Sequence, residues 1–271
     1  MSRFMAIAKT ASLATLAFTF TVGATLADTG PCAQPNGSAL PDLVVDPVAL
    51  RGTVYVSEEK YERASCTVQE DFVSTPGWHT LLRFTTSTPN VGRGSLVIGN
   101  PATCPELFEL SNCHGHRHFK EYSDYRLWTL EGYAMWVDTR DLGIPANSGV
   151  NALILADAAK TRQLIVGRKA GFCLIDSLPN SGTNTRSHPQ TFTSCTTNQG
   201  LSAGWSDRYD ARLDGQYLEI DGLKEGIYVL ENHVNAEHLL PEADYLNNSS
   251  AMTIRYTPRL GQTPARVEVL P

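Results

Sequence analysis

The stretch "SNCHGHRHF" (111–119) places Cys113, His114, His116 and His118 almost side by side, with three of the chain's seven histidines inside five residues. Imidazole is a good ligand for zinc, copper, iron and nickel, and three histidines with an open position suit catalysis better than a closed structural site. In an extended strand His114 and His116 share a face about 7 Å apart, while His118 lies roughly 13 Å from His114. A straight helix would unite His114 with His118 and turn His116 away. A bent or bulged strand therefore suits a three-imidazole site best.

A second metal-like pattern stands in "PEADYLNN" (241–248), where Glu242, Asp244, Asn247 and Asn248 offer oxygen ligands at close spacing. Hard oxygen donors suit Ca2+ rather than copper. Spacing alone describes an ordinary acidic turn at least as well.

These groups must be positioned by a chain of 271 residues, 42% apolar and 18% charged, which is enough to bury one sizeable core. The net charge of −6, with no basic stripe, argues against nucleic acid as a partner. Residues 1–27 have a charged start at Arg3 and Lys9, an apolar run, and small residues at Ala24 and Ala27. That reads as a cleaved secretory signal peptide, too short and too diluted by Thr and Ser for a membrane anchor. The mature protein is expected in the periplasm or the medium, with no membrane anchor. Six cysteines (32, 66, 104, 113, 173 and 195) fit an oxidising compartment, with fifteen possible disulfide connectivities.

After a loose Pro/Gly/Ser-rich leader (28–41), short β-branched and aromatic runs alternate with turn formers. "DLVVDPVALRGTVYVSEEKY", "GWHTLLRFTTSTPNVGRGSLVIG", "YRLWTLEGYAMWVDT", "TRQLIVGRKAGFCLID", "GQYLEIDG", "LKEGIYVLENHVN" and "SAMTIRYTP" all read as strands. Residues 177–203 read as a long ordered loop held by Cys195. No window keeps helical spacing for three turns; "GVNALILADAAK" (149–160) comes nearest and could equally be a buried strand and turn. The expectation is an all-β chain: an antiparallel β-sandwich core with long ordered loops and few short helices. One domain spans 42–258, followed by a C-terminal tail (259–271).

"CHGHRHF" resembles the copper motif of the lysyl oxidase family. "GRKAGFCLID" (167–176) is similar to that family's segment carrying the cofactor lysine, and the segment 194–235 to the one carrying the cofactor tyrosine. The likeness runs in order from Asp42 to Tyr256. It implies that His114, His116 and His118 bind Cu(II), and that Lys169 and Tyr209 form lysine tyrosylquinone. The activity implied is oxidative deamination of primary amines, peptidyl lysine among them, to aldehydes with release of hydrogen peroxide and ammonia. The partners implied are an amine or lysine-containing substrate and O2.

By position, Asp207 is the first candidate for the base that removes the substrate's α-proton, with Asp214 second. The resemblance also implies a structural Ca2+ held by Glu242, Asp244, Asn247 and Asn248 together with Asp42 and the Leu43 carbonyl. It implies a Cys113–Cys195 disulfide, and leaves Cys32, Cys66, Cys104 and Cys173 without derived partners. Trp205 and Gly215 replace a cysteine pair that flanks the tyrosine in the family. A reading from another class is a secreted copper-binding β-sandwich module that turns over no amine, for which Lys169 and Tyr209 would have no purpose.

Overall fold

The computed structural model describes residues 32–271 apart from Asn36 and Asp141. The expected signal peptide and the first residues of the leader lie outside the described residues. The rest of the leader is not loose. Cys32 is disulfide-bonded to Cys104, and Gln34–Pro35 pairs antiparallel with Leu96 and Val97.

The chain is all-β, with several antiparallel sheets and few short helices. The largest sheet has five strands in the order Arg266–Val269, Ser249–Thr257, Gly226–Val234, Ser123–Thr129, Leu164–Val166. The segment read as a C-terminal tail thus supplies an edge strand. A second sheet joins Tyr217–Glu219, Gly77–Phe84 and Val54–Tyr61. The inner faces of these two sheets share one core, where Leu82, Phe84 and Leu218 meet Tyr125, Leu127, Leu230 and Ile254. Phe84 and Tyr125 touch edge to face at 4.9 Å across it, a geometry worth about 1 kcal/mol beyond area burial. Two small structures stand against this frame and build the site. One is the hairpin of Phe108–Ser111 with His116–Phe119; the other is a sheet of Leu178–Pro179, Trp205–Tyr209 and Thr86–Pro89.

The strand reading fails at the helix Pro47–Gly52 and within "YRLWTLEGYAMWVDT", and the segment 149–160, left open between helix and strand, is a helix. "YRLWTLEGYAMWVDT" is a strand only to Thr129, whose Oγ1 accepts the Gly132 N–H at 3.1 Å as the chain turns into the helix Leu130–Arg140. Trp128 from the strand and Trp136 from the helix both donate their indole N–H to the buried Glu231 carboxylate, at 2.9 and 3.0 Å. That bond pair, absent from any local pattern, fixes the helix on the sheet. "GVNALILADAAK" is helical over Gly149–Lys160. Its inward positions include Asn151 and Ala158, while Leu153 is 73% exposed. The apolar stripe that marks a helix is therefore missing from the sequence.

The disulfides also differ from the expected Cys113–Cys195 bridge. Cys113 pairs with Cys66, and Cys195 with Cys173. Each partner is delivered by buried side-chain bonds that the sequence does not announce. Glu70 Oε1 accepts from the Cys113 N–H at 2.8 Å and so seats the 66–70 segment on the hairpin turn. Gln199 accepts from the Leu174 N–H at 3.1 Å and draws the Cys195 loop to Cys173.

Candidate active site

The three histidines converge because the hairpin bends where glycine allows it. Gly115 has φ +68°, and its N–H donates to the Ser111 carbonyl at 2.9 Å, closing a tight turn that folds His114 back over the strand. His116 and His118 then share one face of His116–Phe119, as alternate strand residues must. The ring centroids of His114, His116 and His118 lie 4.9 to 5.8 Å apart, and the Nε2 atoms of His116 and His118 are 3.1 Å apart. His116 Nδ1 lies 3.1 Å from the His114 carbonyl oxygen, which can only accept, so this nitrogen carries the proton and Nε2 keeps its lone pair. Burial, reinforced by the Lys169 ammonium, pushes His118 down to about 3, and burial lowers His116 as well. Three imidazoles brought to one cavity, with the Nε2 lone pair of His116 free of a backbone partner, are the kind of nitrogen donor set that suits copper.

The segment after the Leu164–Val166 strand brings in the lysine. Phe172 exchanges backbone hydrogen bonds with Phe119 on the histidine strand, at 2.7 and 3.0 Å. On the other side, the Cys173 carbonyl accepts from the Tyr209 hydroxyl. One short run of chain is thus tied to the histidine strand and to the tyrosine strand. Lys169 Nζ sits 5.0 Å from the Phe172 ring centroid, and the Tyr209 ring meets the same Phe172 ring at 4.8 Å. Lys169 is 8% exposed, donates to the Asp214 carbonyl at 3.2 Å, and is lowered by burial to about 8. Gly215 makes room for it: with φ +75°, a Cβ there would lie 2.4 Å from Lys169 Cδ. Tyr209 keeps part of its surface open, while burial and the neighbouring Asp207 raise its hydroxyl well above the usual phenol range.

Asp207 precedes Tyr209 by two residues on Trp205–Tyr209 and so faces the same way. It is 2% exposed, its Oδ2 has no hydrogen-bond partner, and burial raises it well above the carboxylate range. His114, His116, His118, Lys169, Asp207 and Tyr209 all line one cavity of about 380 Å³, open to solvent past Arg208, Leu213 and Asp214.

The oxygen-rich cluster also assembles. Glu242 Oε2 accepts from the Leu43 N–H at 2.8 Å, and its Oε1 accepts from Asn235 and Asn248 Nδ2, both at 2.5 Å. Asn247 Nδ2 donates to Asp42 at 2.8 Å. The buried Oδ1 atoms of Asn247 and Asn248 have no partner. Asp244 is exposed and accepts from the Leu246 N–H at 2.8 Å, and the Leu43 N–H, rather than its carbonyl, faces Glu242. Among the described residues, the one group of His, Cys, Asp and Glu whose ligand atoms all lie within 4.8 Å of one another is His79, Glu219 and Asp221; the three histidines share a cavity without packing that closely. In the former group His79 Nδ1 meets Asp221 at 2.7 Å and Nε2 meets the Thr75 carbonyl at 2.7 Å. Both ring nitrogens face acceptors, so this is a protonated imidazole in an ion pair.

Sequence reasoning noted Gly215 only as a replaced cysteine and missed Phe172 and the segment 66–72, whose Phe72 ring lies 5.1 Å from Lys169 Nζ and stacks loosely on His114 at 6.4 Å. Phe172 and Gly215 adjoin recognised motifs, but nothing in the local sequence marks Glu70 or Phe72.

A family model described as lysyl oxidase matches residues 153–264. Protein-lysine 6-oxidase from Sus scrofa is 30% identical over 228 residues, covering 80% of this chain and 77% of that protein. Protein-lysine 6-oxidase from Homo sapiens shows the same identity over 80% of this chain but 46% of its own length. Lysyl oxidase homolog 1 from Bos taurus is 29% identical over 239 residues, 34% of its length. The chain thus spans about half or less of these two longer relatives. With its ordered motifs and this identity, the chain belongs to the lysyl oxidase family.

Proposed function

We propose that the protein is a copper-dependent amine oxidase that deaminates primary amines, peptidyl lysine among them, to aldehydes with release of hydrogen peroxide and ammonia. The observation that carries this reading is that Lys169 and Tyr209, forty residues apart in sequence, both lie against one Phe172 ring in the cavity of the three histidines. A copper-binding module without turnover gives no reason for that arrangement. His114, His116 and His118 would hold Cu(II), and Lys169 and Tyr209 would become lysine tyrosylquinone. That cofactor supplies a carbonyl for the substrate amine and an acceptor for its electrons, with O2 as final oxidant.

The chain's own residues suit this chemistry. With Lys169 lowered to about 8, an appreciable fraction is the free amine near neutral pH, the nucleophilic form needed to join an oxidised Tyr209 ring. Phe72 and Phe172 place their rings 5.1 and 5.0 Å from the Lys169 ammonium, and the residue is largely buried beside them. Asp207, buried in the cavity wall with no hydrogen-bond partner at Oδ2, is the candidate for the base that takes the α-proton, a role that requires its ionised form. The half-open cavity admits a side chain presented on a larger molecule as well as a free amine.

A structural Ca2+ at Asp42, Glu242, Asn247 and Asn248 is supported by the two partnerless amide oxygens. Secretion, to the periplasm or the medium, is supported by three disulfides; no described helix is long and apolar enough to cross a membrane.

Peptide mass spectrometry of protein matured with copper and air tests the enzyme reading. A covalent Lys169–Tyr209 peptide, absent from Lys169→Ala, is the expected result. Release of both residues in unlinked, unmodified peptides from copper-loaded protein would overturn it in favour of the binding module.

A further inference from the structure

The segment that follows the Val54–Tyr61 strand reaches across to the histidine hairpin and is fixed there by the Cys66–Cys113 disulfide. At its end Asp71 adopts φ +57°, a left-handed conformation uncommon for a non-glycine residue. The turn presents Glu70 and Phe72, one on each side of Asp71, to the site.

Glu70 Oε1 accepts two hydrogen bonds, from Ser111 Oγ at 2.7 Å and from the Cys113 N–H at 2.8 Å. Ser111 Oγ lies 2.8 Å from His114 Nδ1. The other carboxylate oxygen, Oε2, is buried without a hydrogen-bond partner, and His114 Nδ1 is 3.5 Å away. Because the Ser111 hydroxyl gives its proton to Glu70, its oxygen is left to accept from His114. Nδ1 therefore faces an acceptor and a carboxylate, and the proton belongs on it. That leaves Nε2 of His114 bare, matching the arrangement already derived for His116.

We infer that Glu70 is the positioning residue of the metal centre: acting through Ser111 and directly on Nδ1, it fixes His114 as the Nδ1–H tautomer and aims its Nε2 lone pair at the metal. The inference rests on the copper reading for its purpose, but the tautomer is a property of the metal-free protein. A carboxylate behind a histidine ligand holds the ring orientation and raises ligand basicity, and losing one weakens metal affinity by about 10- to 100-fold. Glu70→Gln keeps an acceptor for Ser111 and Cys113 and removes the charge; Glu70→Ala removes both.

Long-range 1H–15N correlation spectra of the histidine-labelled, metal-free protein report the tautomer of each ring. His114 is expected as Nδ1–H in the wild type and in Glu70→Gln, and as a mixture or the Nε2–H form in Glu70→Ala. Cu(II) titration against a competing chelator, with EPR, is expected to show about 10-fold weaker binding for Glu70→Gln and about 100-fold for Glu70→Ala, the latter with altered nitrogen hyperfine structure. An unchanged His114 tautomer and unchanged copper affinity in folded, disulfide-intact Glu70→Ala would overturn the role of Glu70. A wild type that shows the Nδ1–H tautomer yet binds no copper would instead overturn the copper reading, and with it the positioning role at a metal.

Discussion

The candidate active-site cavity and the Glu242 cluster are built from similar material and come to opposite states. Each gathers polar groups from distant parts of the chain, holds one buried carboxyl raised above its ordinary range, and leaves buried polar atoms without partners. Around Glu242 the carboxylate accepts three bonds, from a backbone N–H and two amides, so the first strand region and the loop 241–248 are locked together. Around Asp207 and Lys169 the groups line an open cavity; burial disfavours their charge, and the Ser177 hydroxyl at Asp207 and the carboxylates near Lys169 offset this only in part. The difference is where desolvation is offset. Offset by fixed hydrogen bonds, it yields a clamp; left open to a ligand, it yields reactive groups with shifted protonation.

Substitutions should separate the two regions. Lys169→Ala is expected to reduce amine oxidation to background while leaving the melting temperature within a few degrees of wild type. Parallel activity assays and calorimetry check both halves of that statement. Glu242→Ala is expected to do the reverse. It strands the Leu43 N–H and the amides of Asn235 and Asn248 and costs about 3 kcal/mol of stability. Urea denaturation measures the loss, and single-turnover assays on the folded fraction should show unchanged chemistry.

The pH dependence of stability sharpens the contrast. Glu242 is raised by burial to about 7, so between its unfolded value near 4.3 and about 7 the folded state holds a proton that the unfolded state releases. Its contribution is fully present below about pH 4.3 and is lost as pH rises through about 7, a change of about 4 kcal/mol at most. Glu242→Gln should flatten that stretch of the curve. Added Ca2+, which favours the ionised carboxylate, should raise the wild-type melting temperature most above pH 7 and have little effect on the variant.

His79 gives the smallest effect. Burial opposes its charge, but the Thr75 carbonyl and the Asp221 and Glu219 carboxylates outweigh this and raise its value. The stability it supplies is complete below about 6.5, its unfolded value, and is lost as pH rises through the higher folded value. With the Asp221 side chain 41% exposed, solvent screening holds the contribution within about 1 kcal/mol. Denaturation of His79→Gln at pH 6 and pH 9 should show a deficit at the lower pH that closes at the higher.

How much of this was legible depends on where the fixing interactions lie. The strands Gly77–Phe84, Gly226–Val234 and Ser249–Thr257 fall where β-branched and aromatic runs expect them, because a strand's preference is written over a few adjacent residues. The histidine site was legible down to its need for a bend, which Gly115 supplies. The helices were not: Leu130–Arg140 is fixed by indole bonds to Glu231, a hundred residues away, and Gly149–Lys160 lacks the apolar stripe. The disulfides were not either, since Cys66 reaches Cys113 through Glu70, and Cys195 reaches Cys173 through Gln199.

The sequence by itself determined the all-β character, the imidazole donors and, through the ordered motifs, the family. Only the tertiary structure decided that Lys169 and Tyr209 both lie against Phe172, that Glu70 stands behind His114, and that Asp207 lies buried without a partner for Oδ2. The physical reason is range. Side-chain preferences act over neighbouring residues, whereas desolvation and hydrogen-bond partnership are set by whatever the folded chain brings within a few ångströms.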